Sequence, residues 1–390
     1  MRAERIGSVA DARCAARRRV PRVVFDYIDG AADDERTMHA NETAFEDLVF
    51  VPRMATGRTA PELDTTVLGR PLRLPVLLAP CGLVRLMHPD GARGVARAAR
   101  RAGTVSVLST VAGSPLEEVV PAAPGRVWFQ LYAARGREDA APLVERAASA
   151  GVEVLVVTVD TPALGNRERD RRNGVSTPLR LGPSSAARLG PQVLARPLWA
   201  YRMARDGVRF LPSRPAPASG RGFDLLSMVA SPFSWDDVSW LRERWSGKLV
   251  VKGLLTGTDA REAVARGADA IVVSNHGGRQ LEGAPATLHA LPEVVEAVGP
   301  VEVLLDGGVR RGTHVAKALA LGARAVLIGR PYLYGLAACG EEGVLRVLEV
   351  LRAELARALV LLGCPSVREL DASYVAPRGF RSLPVPLAGA

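Results

Sequence analysis

The octapeptide Ser274-Asn275-His276-Gly277-Gly278-Arg279-Gln280-Leu281 sets an imidazole and a guanidinium three residues apart in a loop that carries two glycines. A base that titrates near neutrality beside a fixed cation suits taking a proton from an anionic substrate. The chain has only 5 histidines, so one in this setting stands out. The octapeptide alone is equally compatible with a loop histidine satisfied by backbone groups. The run before it, 269–273, is apolar in the manner of a buried parallel strand. His276 therefore stands at a strand exit.

Seven other apolar runs end in polar residues of the same sort. After 76–79 come Pro80, Cys81 and Gly82, with Ala79 closing the run; after 105–108 come Ser109 and Thr110. The run 127–131 holds Gln130 and is followed by Tyr132, and 154–159 holds Thr158 and is followed by Asp160. Lys252 follows 249–251, Asp306, Gly307, Gly308 and Arg310 follow 301–305, and Gly329 and Arg330 follow 325–328. Helical patterns separate the runs at 89–102, 115–121, 138–150, 235–245, 258–266, 288–298 and 313–321, and a last one covers 343–362. Eight alternations predict a (β/α)8 TIM barrel over 75–365. A doubly wound sheet would want a Gly-x-Gly-x-x-Gly loop after its first strand, and none is present.

Residues 1–60 read as an N-terminal helical segment, and 63–74 as a hairpin about Gly69-Arg70-Pro71. An insertion after the fourth run, 175–234, is rich in proline, serine and arginine and reads as an irregular lid. The whole chain, 1–390, reads as one domain.

A content of 48% hydrophobic and 24% charged residues fits a globular chain and excludes disorder. The net charge of +10 invites nucleic acid, but the arginines are scattered and lysine is confined to Lys248, Lys252 and Lys317, so no basic patch is indicated. Four separated cysteines show no metal spacing. Without an apolar leader core or a run of about 20 apolar residues, the reading is cytoplasmic. The aromatic and cationic stretch 195–212 leaves a membrane-surface contact open, with an active-site cover favoured.

Glycines with arginines at the seventh and eighth strand exits suit a phosphate, and Lys252 suits a point charge against a reducible ring. At this point the chain resembles the FMN-dependent α-hydroxy acid oxidases and dehydrogenases, such as glycolate oxidase, lactate oxidase and mandelate dehydrogenase. The resemblance rests on the octapeptide together with Phe25-Asp26-Tyr27, Ala79-Pro80, His88-Pro89, Gln130-Leu131-Tyr132, Thr158-Val159-Asp160-Thr161-Pro162, Val251-Lys252-Gly253, 305–310 and 328–331.

The resemblance implies FMN as cofactor and His276 as the base, with Asp160 orienting it and raising its pKa. Arg279, Tyr27 and Arg167 would hold the substrate carboxylate, and Tyr132 would bond the oxygen at the reacting carbon. Ala79, Pro80, Gly82, Ser109, Gln130, Thr158, Lys252 and Ser274 would lie along the flavin and its chain. Asp306, Gly308, Arg310, Gly329 and Arg330 would lie at the ribityl chain and phosphate. Val111 stands where glycolate oxidase has a tryptophan, which implies a 2-hydroxy acid with a substituent larger than hydrogen, aliphatic or mandelate-like. Oxygen is the expected acceptor, giving hydrogen peroxide. The alternatives are a dehydrogenase passing electrons to a quinone or other carrier, an FMN oxidation of a specialised metabolite or peptide, and a silent FMN-binding scaffold. The resemblance also implies a homo-oligomer, a tetramer, with no metal.

Overall fold

The computed structural model describes residues 2–133, 135–174, 183–206, 230 and 232–379. Three helices open the chain: α1 (Val9–Arg19), capped by the Ser8 hydroxyl, α2 (Arg22–Asp29) and α3 (Arg36–Thr43). They are followed by β1 (Leu48–Phe50) and by the hairpin β2 (Thr65–Val67) and β3 (Arg70–Leu72). The first barrel strand and helix are β4 (Val76–Leu78) and α4 (Gly91–Ala102), then β5 (Ser106–Ser109) and the short α5 (Leu116–Val119). Next come β6 (Val127–Leu131), α6 (Arg137–Ser149), β7 (Val154–Thr158) and α7 (Glu168–Arg172). After α8 (Pro183–Leu194) and α9 (Pro197–Asp206) lie α10 (Trp235–Arg244), β8 (Lys248–Leu254) and α11 (Gly257–Ala265). The chain closes with β9 (Ala270–Val273), α12 (Thr287–Val298), β10 (Glu302–Asp306), α13 (Gly312–Ala320), β11 (Ala325–Ile328), α14 (Arg330–Leu362) and β12 (Val375–Pro377).

Strands β4 to β11 are all parallel and close on one another, β11 pairing with β4. The expected (β/α)8 barrel is thus observed. Parallel strands covered on both faces must be apolar throughout, and seven of the eight have no exposed residue. The hairpin plugs the barrel's N-terminal end. Its Val67 and Leu72, 0% and 2% exposed, pack with Val105, Trp128, Val154, Val250 and Leu304. Each such side chain stabilises the plug by about 1.5–3 kcal/mol.

Three expectations need correcting. The segment 1–60 is not helical throughout: β1 pairs antiparallel with β12 near the other end of the chain, and a three-residue strand carries too little periodicity to reveal a partner that remote. The expected last helix, 343–362, is the part of α14 beyond a break at Cys339–Gly340; what went unread is the helical stretch before the break, which starts at Arg330 with Pro331 in its first turn, where a missing N–H costs nothing. The insertion is not irregular where it is described, since α8 and α9 lie in it, and α9 is anchored by Trp199 Nε1 donating to Leu86 O at 2.9 Å. Residues 175–182 and 207–229, including the end of the 195–212 stretch, lie outside the described residues. Among the described residues no helix is long and apolar enough to cross a membrane.

Candidate active site

The barrel strands deliver their last side chains to one cleft, lined by residues from Tyr27 to Leu333. Along its floor, successive strands contribute an arc of polar groups. Ser109 and Gln130 are register partners, and the Ser109 hydroxyl donates to Gln130 Oε1 at 2.8 Å. Thr158 and Lys252 are partners one step further round. Lys252, 3% exposed, donates to Ser274 Oγ at 2.8 Å and meets Asp306 Oδ2 at 3.0 Å. Burial acts to discharge this lysine, but Asp306 and Asp160 outweigh it and hold its pKa above the ordinary value.

His276 sits in the left-handed region with φ 59°, followed by Gly277 and Gly278 at 65° and 74°. A non-glycine residue held there is strained, and such strain collects at functional sites. The turn aims the imidazole inward. Its Nδ1 lies 3.0 Å from Asp160 Oδ1, and its Nε2 lies 3.4 Å from the Tyr132 hydroxyl. With the Nδ1 proton held by Asp160, the free lone pair is on Nε2, facing Tyr132. Asp160 does raise the imidazole's pKa, as expected, but it is outweighed. Burial lowers it, Asp160 opposes, Lys252 and Arg167 lower it further, and the net shift is downward. The base is therefore neutral and competent near pH 7. Burial and Asp160 raise the Tyr132 phenol, which stays protonated as a donor.

Two guanidinium groups face this pair. Arg279 Nη1 donates to Tyr27 O at 2.9 Å and Gly30 O at 2.7 Å, and its Cζ lies 5.2 Å from the Tyr27 ring centroid. Arg167 enters from the loop before α7, and burial followed by the charge of Arg279 pushes its pKa down to about 10. Val111, Tyr132 and Leu164 form a small apolar wall beside them. A Cβ at Gly82 would come within 3.1 Å of both the Tyr27 hydroxyl and Val111 Cγ2, so a glycine keeps that approach open.

At the far end, Gly307, Gly308, Gly329, Arg310 and Arg330 line the cleft. Arg310 Nη2 is bound to Glu42 Oε1 at 2.7 Å. Arg330 departs from a free phosphate ligand: it donates to Asp29 O, Gly277 O and Gly30 O at 3.3, 2.9 and 2.8 Å, tying three loops together. α3 crosses over this end, where a Cβ at Gly278 would lie 2.5 Å from Met38 N.

The site residues expected from the sequence come to this cleft or stand directly behind it. Gln130, Asp160 and Ser274 are one side-chain hydrogen bond behind and Thr158 is the strand-register partner of Lys252, while Ala79, Pro80 and the others line the wall. Ile28, Leu164, Val309, Leu327 and Leu333 also line it and escaped the sequence reading. Leu164 had a signal in its place between Asp160 and Arg167, whereas the others look like ordinary core. Among the described residues, Gln130 Nε2, Thr158 Oγ1, Arg167 Nε and Asp306 Oδ1 are buried without a partner. Buried polar groups are normally satisfied, so donors and acceptors arranged round this cleft fit a flat heterocycle with a hydrogen-bonding edge and a phosphorylated chain.

A profile of the FMN-dependent dehydrogenase family matches residues 16–377. The L-lactate oxidase of Nostoc sp. is 44% identical over 92% of this chain and 95% of the relative. The pre-mycofactocin synthase of Mycobacterium tuberculosis is 42% identical over 97% of each chain. The crystal structure of (S)-mandelate dehydrogenase, described as a monotopic membrane protein, superposes with a TM-score of 0.89 at 37% identity, over 96% of this chain and 100% of that one.

Proposed function

We infer the reaction from one premise: the chain belongs to the FMN-dependent dehydrogenase family, which makes it an oxidoreductase of 2-hydroxy acids with FMN as its cofactor. In this reading the substrate R–CH(OH)–COO⁻ carries a substituent R larger than hydrogen and becomes R–CO–COO⁻, and oxygen becomes hydrogen peroxide. The observation that carries it is the facing of a neutral His276, backed by the Asp160 carboxylate, and of Tyr132 by two part-buried guanidinium groups, Arg167 and Arg279.

FMN, when bound, supplies the two-electron acceptor for the α-carbon's hydrogen equivalent. The chain's own residues do the rest. Arg279 and Arg167 hold the carboxylate, which fixes the α-carbon and removes the entropy of orientation. His276 Nε2 takes the hydroxyl proton, and Asp160 stabilises the imidazolium so formed. Tyr132 donates to the substrate oxygen as it changes from hydroxyl to carbonyl. Gln130, Thr158, Lys252 and Ser274 would hold the flavin edge, with the Lys252 charge beside its electron-rich end. Asp306, Gly308, Arg310 and Gly329 would hold the chain and phosphate, Arg330 acting through the loops it binds. The room beside Val111 and Leu164 admits an aliphatic or aryl R.

The test is a purified sample: yellow, bleached under nitrogen by a 2-hydroxy acid, then yielding peroxide on admission of air. Oxygen as acceptor is supported by the lactate oxidase relative, and a cytoplasmic homo-oligomer is the form expected. A second reading, a dehydrogenase docked on a lipid surface and passing electrons to a quinone, is favoured by α9, which exposes Leu198 (48%) and Tyr201 (62%) among arginines. Bleached flavin that air does not restore selects it. Oxidation of a specialised metabolite is the third reading. The paired arginines weigh against it, because an uncharged substrate would leave two part-buried guanidinium groups without an anion.

A further inference from the structure

Asp29, at the end of α2, is 3% exposed and makes no contact with the cleft's open space. Its carboxylate accepts from Arg13 Nε and Nη2 at 2.5 and 2.8 Å, from Arg169 Nη1 at 2.9 Å and from the Tyr334 hydroxyl at 2.7 Å. Although burial opposes ionisation, Arg13 and Tyr334 hold its pKa down at about 2. Three separate elements, α1, α7 and α14, therefore converge on one permanent anion.

Where the two arginines lead distinguishes them. Arg13 returns to α1 on the outside of the molecule. Arg169 lies two residues beyond Arg167, and its other nitrogen meets Glu35, which accepts from the Ala31 N–H at 2.9 Å. Asp33 adds two more ties to the same loop, its N–H donating to Asn166 O at 2.9 Å and its carboxylate accepting from Asn166 Nδ2 at 2.7 Å. The turn 29–35 thus fixes the loop that carries Arg167. From the opposite side, the carbonyls of Tyr27 and Gly30 receive Arg279, and the Ala32 N–H donates to Gly278 O at 2.9 Å. No slack remains at the crossing, where a Cβ at Gly30 would lie 2.8 Å from Asp26 O and 3.2 Å from Arg169 Cδ.

We infer that Asp29 and Arg169 are positioning residues for the substrate carboxylate: their ion pair references Arg167 and Arg279 to one turn and so sets the gap between the two guanidinium groups. The Arg13 bond to the same carboxylate stabilises the fold and leaves that gap alone. This rests on the reading that Arg167 and Arg279 hold the carboxylate.

The experiment compares Arg169→Gln with Arg13→Gln in the FMN-loaded enzyme. It reads oxalate binding from the flavin absorbance, KM and kcat for the best 2-hydroxy acid, FMN content and Tm. Arg169→Gln should weaken oxalate and raise KM at least tenfold while kcat moves less than threefold and FMN content holds. Arg169→Lys should recover most of the loss. Arg13→Gln should lower Tm with oxalate binding and KM in place. Equal effects of the two variants on oxalate and KM, or an Arg169→Gln variant that loses only Tm, would overturn the inference. Wild-type enzyme that neither binds oxalate nor bleaches with any 2-hydroxy acid would instead overturn the proposed function, before any variant is made.

Discussion

At the N-terminal end of the barrel, Asp269 accepts from Lys248 Nζ, the Leu249 N–H and Arg242 at 2.8, 2.8 and 3.1 Å. Glu302 accepts from the Leu68 N–H at 2.8 Å, and Glu153 is paired with Arg70. At the C-terminal end the pattern reverses. All eight buried side-chain polar atoms that lack a partner among the described residues belong to residues at or beyond strand exits, from Arg85 after β4 to Asp306 at the end of β10. One end has paired its polar groups within the protein, while the other leaves some of them open. The same closed cylinder thus separates stability from chemistry along its axis.

The most severe way to break this contrast is His276→Ala. The variant should keep its FMN and lose about 10²–10⁴ of the rate of anaerobic bleaching. Bleaching within tenfold of wild type would mean that the open polar atoms serve binding alone. Arg279→Lys comes next, because an ammonium cannot reproduce the guanidinium fork; kcat/KM should fall about 10- to 100-fold, mostly through KM. Steady-state kinetics at fixed pH decide it.

The acidity of the site sharpens the comparison further. His276 works as a base only when neutral, and its pKa is lowered, so the acid limb of kcat/KM should lie below the ordinary imidazole value of 6.5. Asp160→Asn removes an influence that raises it and should move the limb lower still while slowing the reaction. A limb that moves up contradicts the assignment. Val111→Trp should cost about tenfold on substrates with aryl or branched groups and spare glycolate, as competition between the two acids would reveal. Smallest of all, Asp269→Asn at the opposite end should leave kinetics unchanged and lower Tm by about 1–2 °C, the cost of roughly one kcal/mol of hydrogen bonding. A kinetic effect there would dissolve the division between the two ends.

The barrel was legible because strands covered on both faces leave unbroken apolar runs, and the site was legible because those runs stop abruptly at His276, Lys252 or Asp306. Pairings between remote short segments left no such trace. Leu48–Phe50 gives no hint of Val375–Pro377, and Asp29 reads as an ordinary helix end until Arg13, Arg169 and Tyr334 are seen around it. The acidity of His276 was misjudged for a related reason. Asp160 is its evident partner, but burial, Lys252 and Arg167 act through the closed structure, and their sum is invisible in one dimension.

The arm formed by α2 and α3 is made early on the ribosome, yet several of the bonds that seat it wait for the end of the chain. Asn41 accepts from the Thr287 N–H 246 residues downstream, and Gly30 waits 300 residues for Arg330. During translation this arm is only partly seated, and the cradle it covers stays open until the eighth strand has closed the ring. Loading of the cofactor and seating of the arm therefore belong to the same late moment of assembly, so a chain truncated before Arg330 forfeits both.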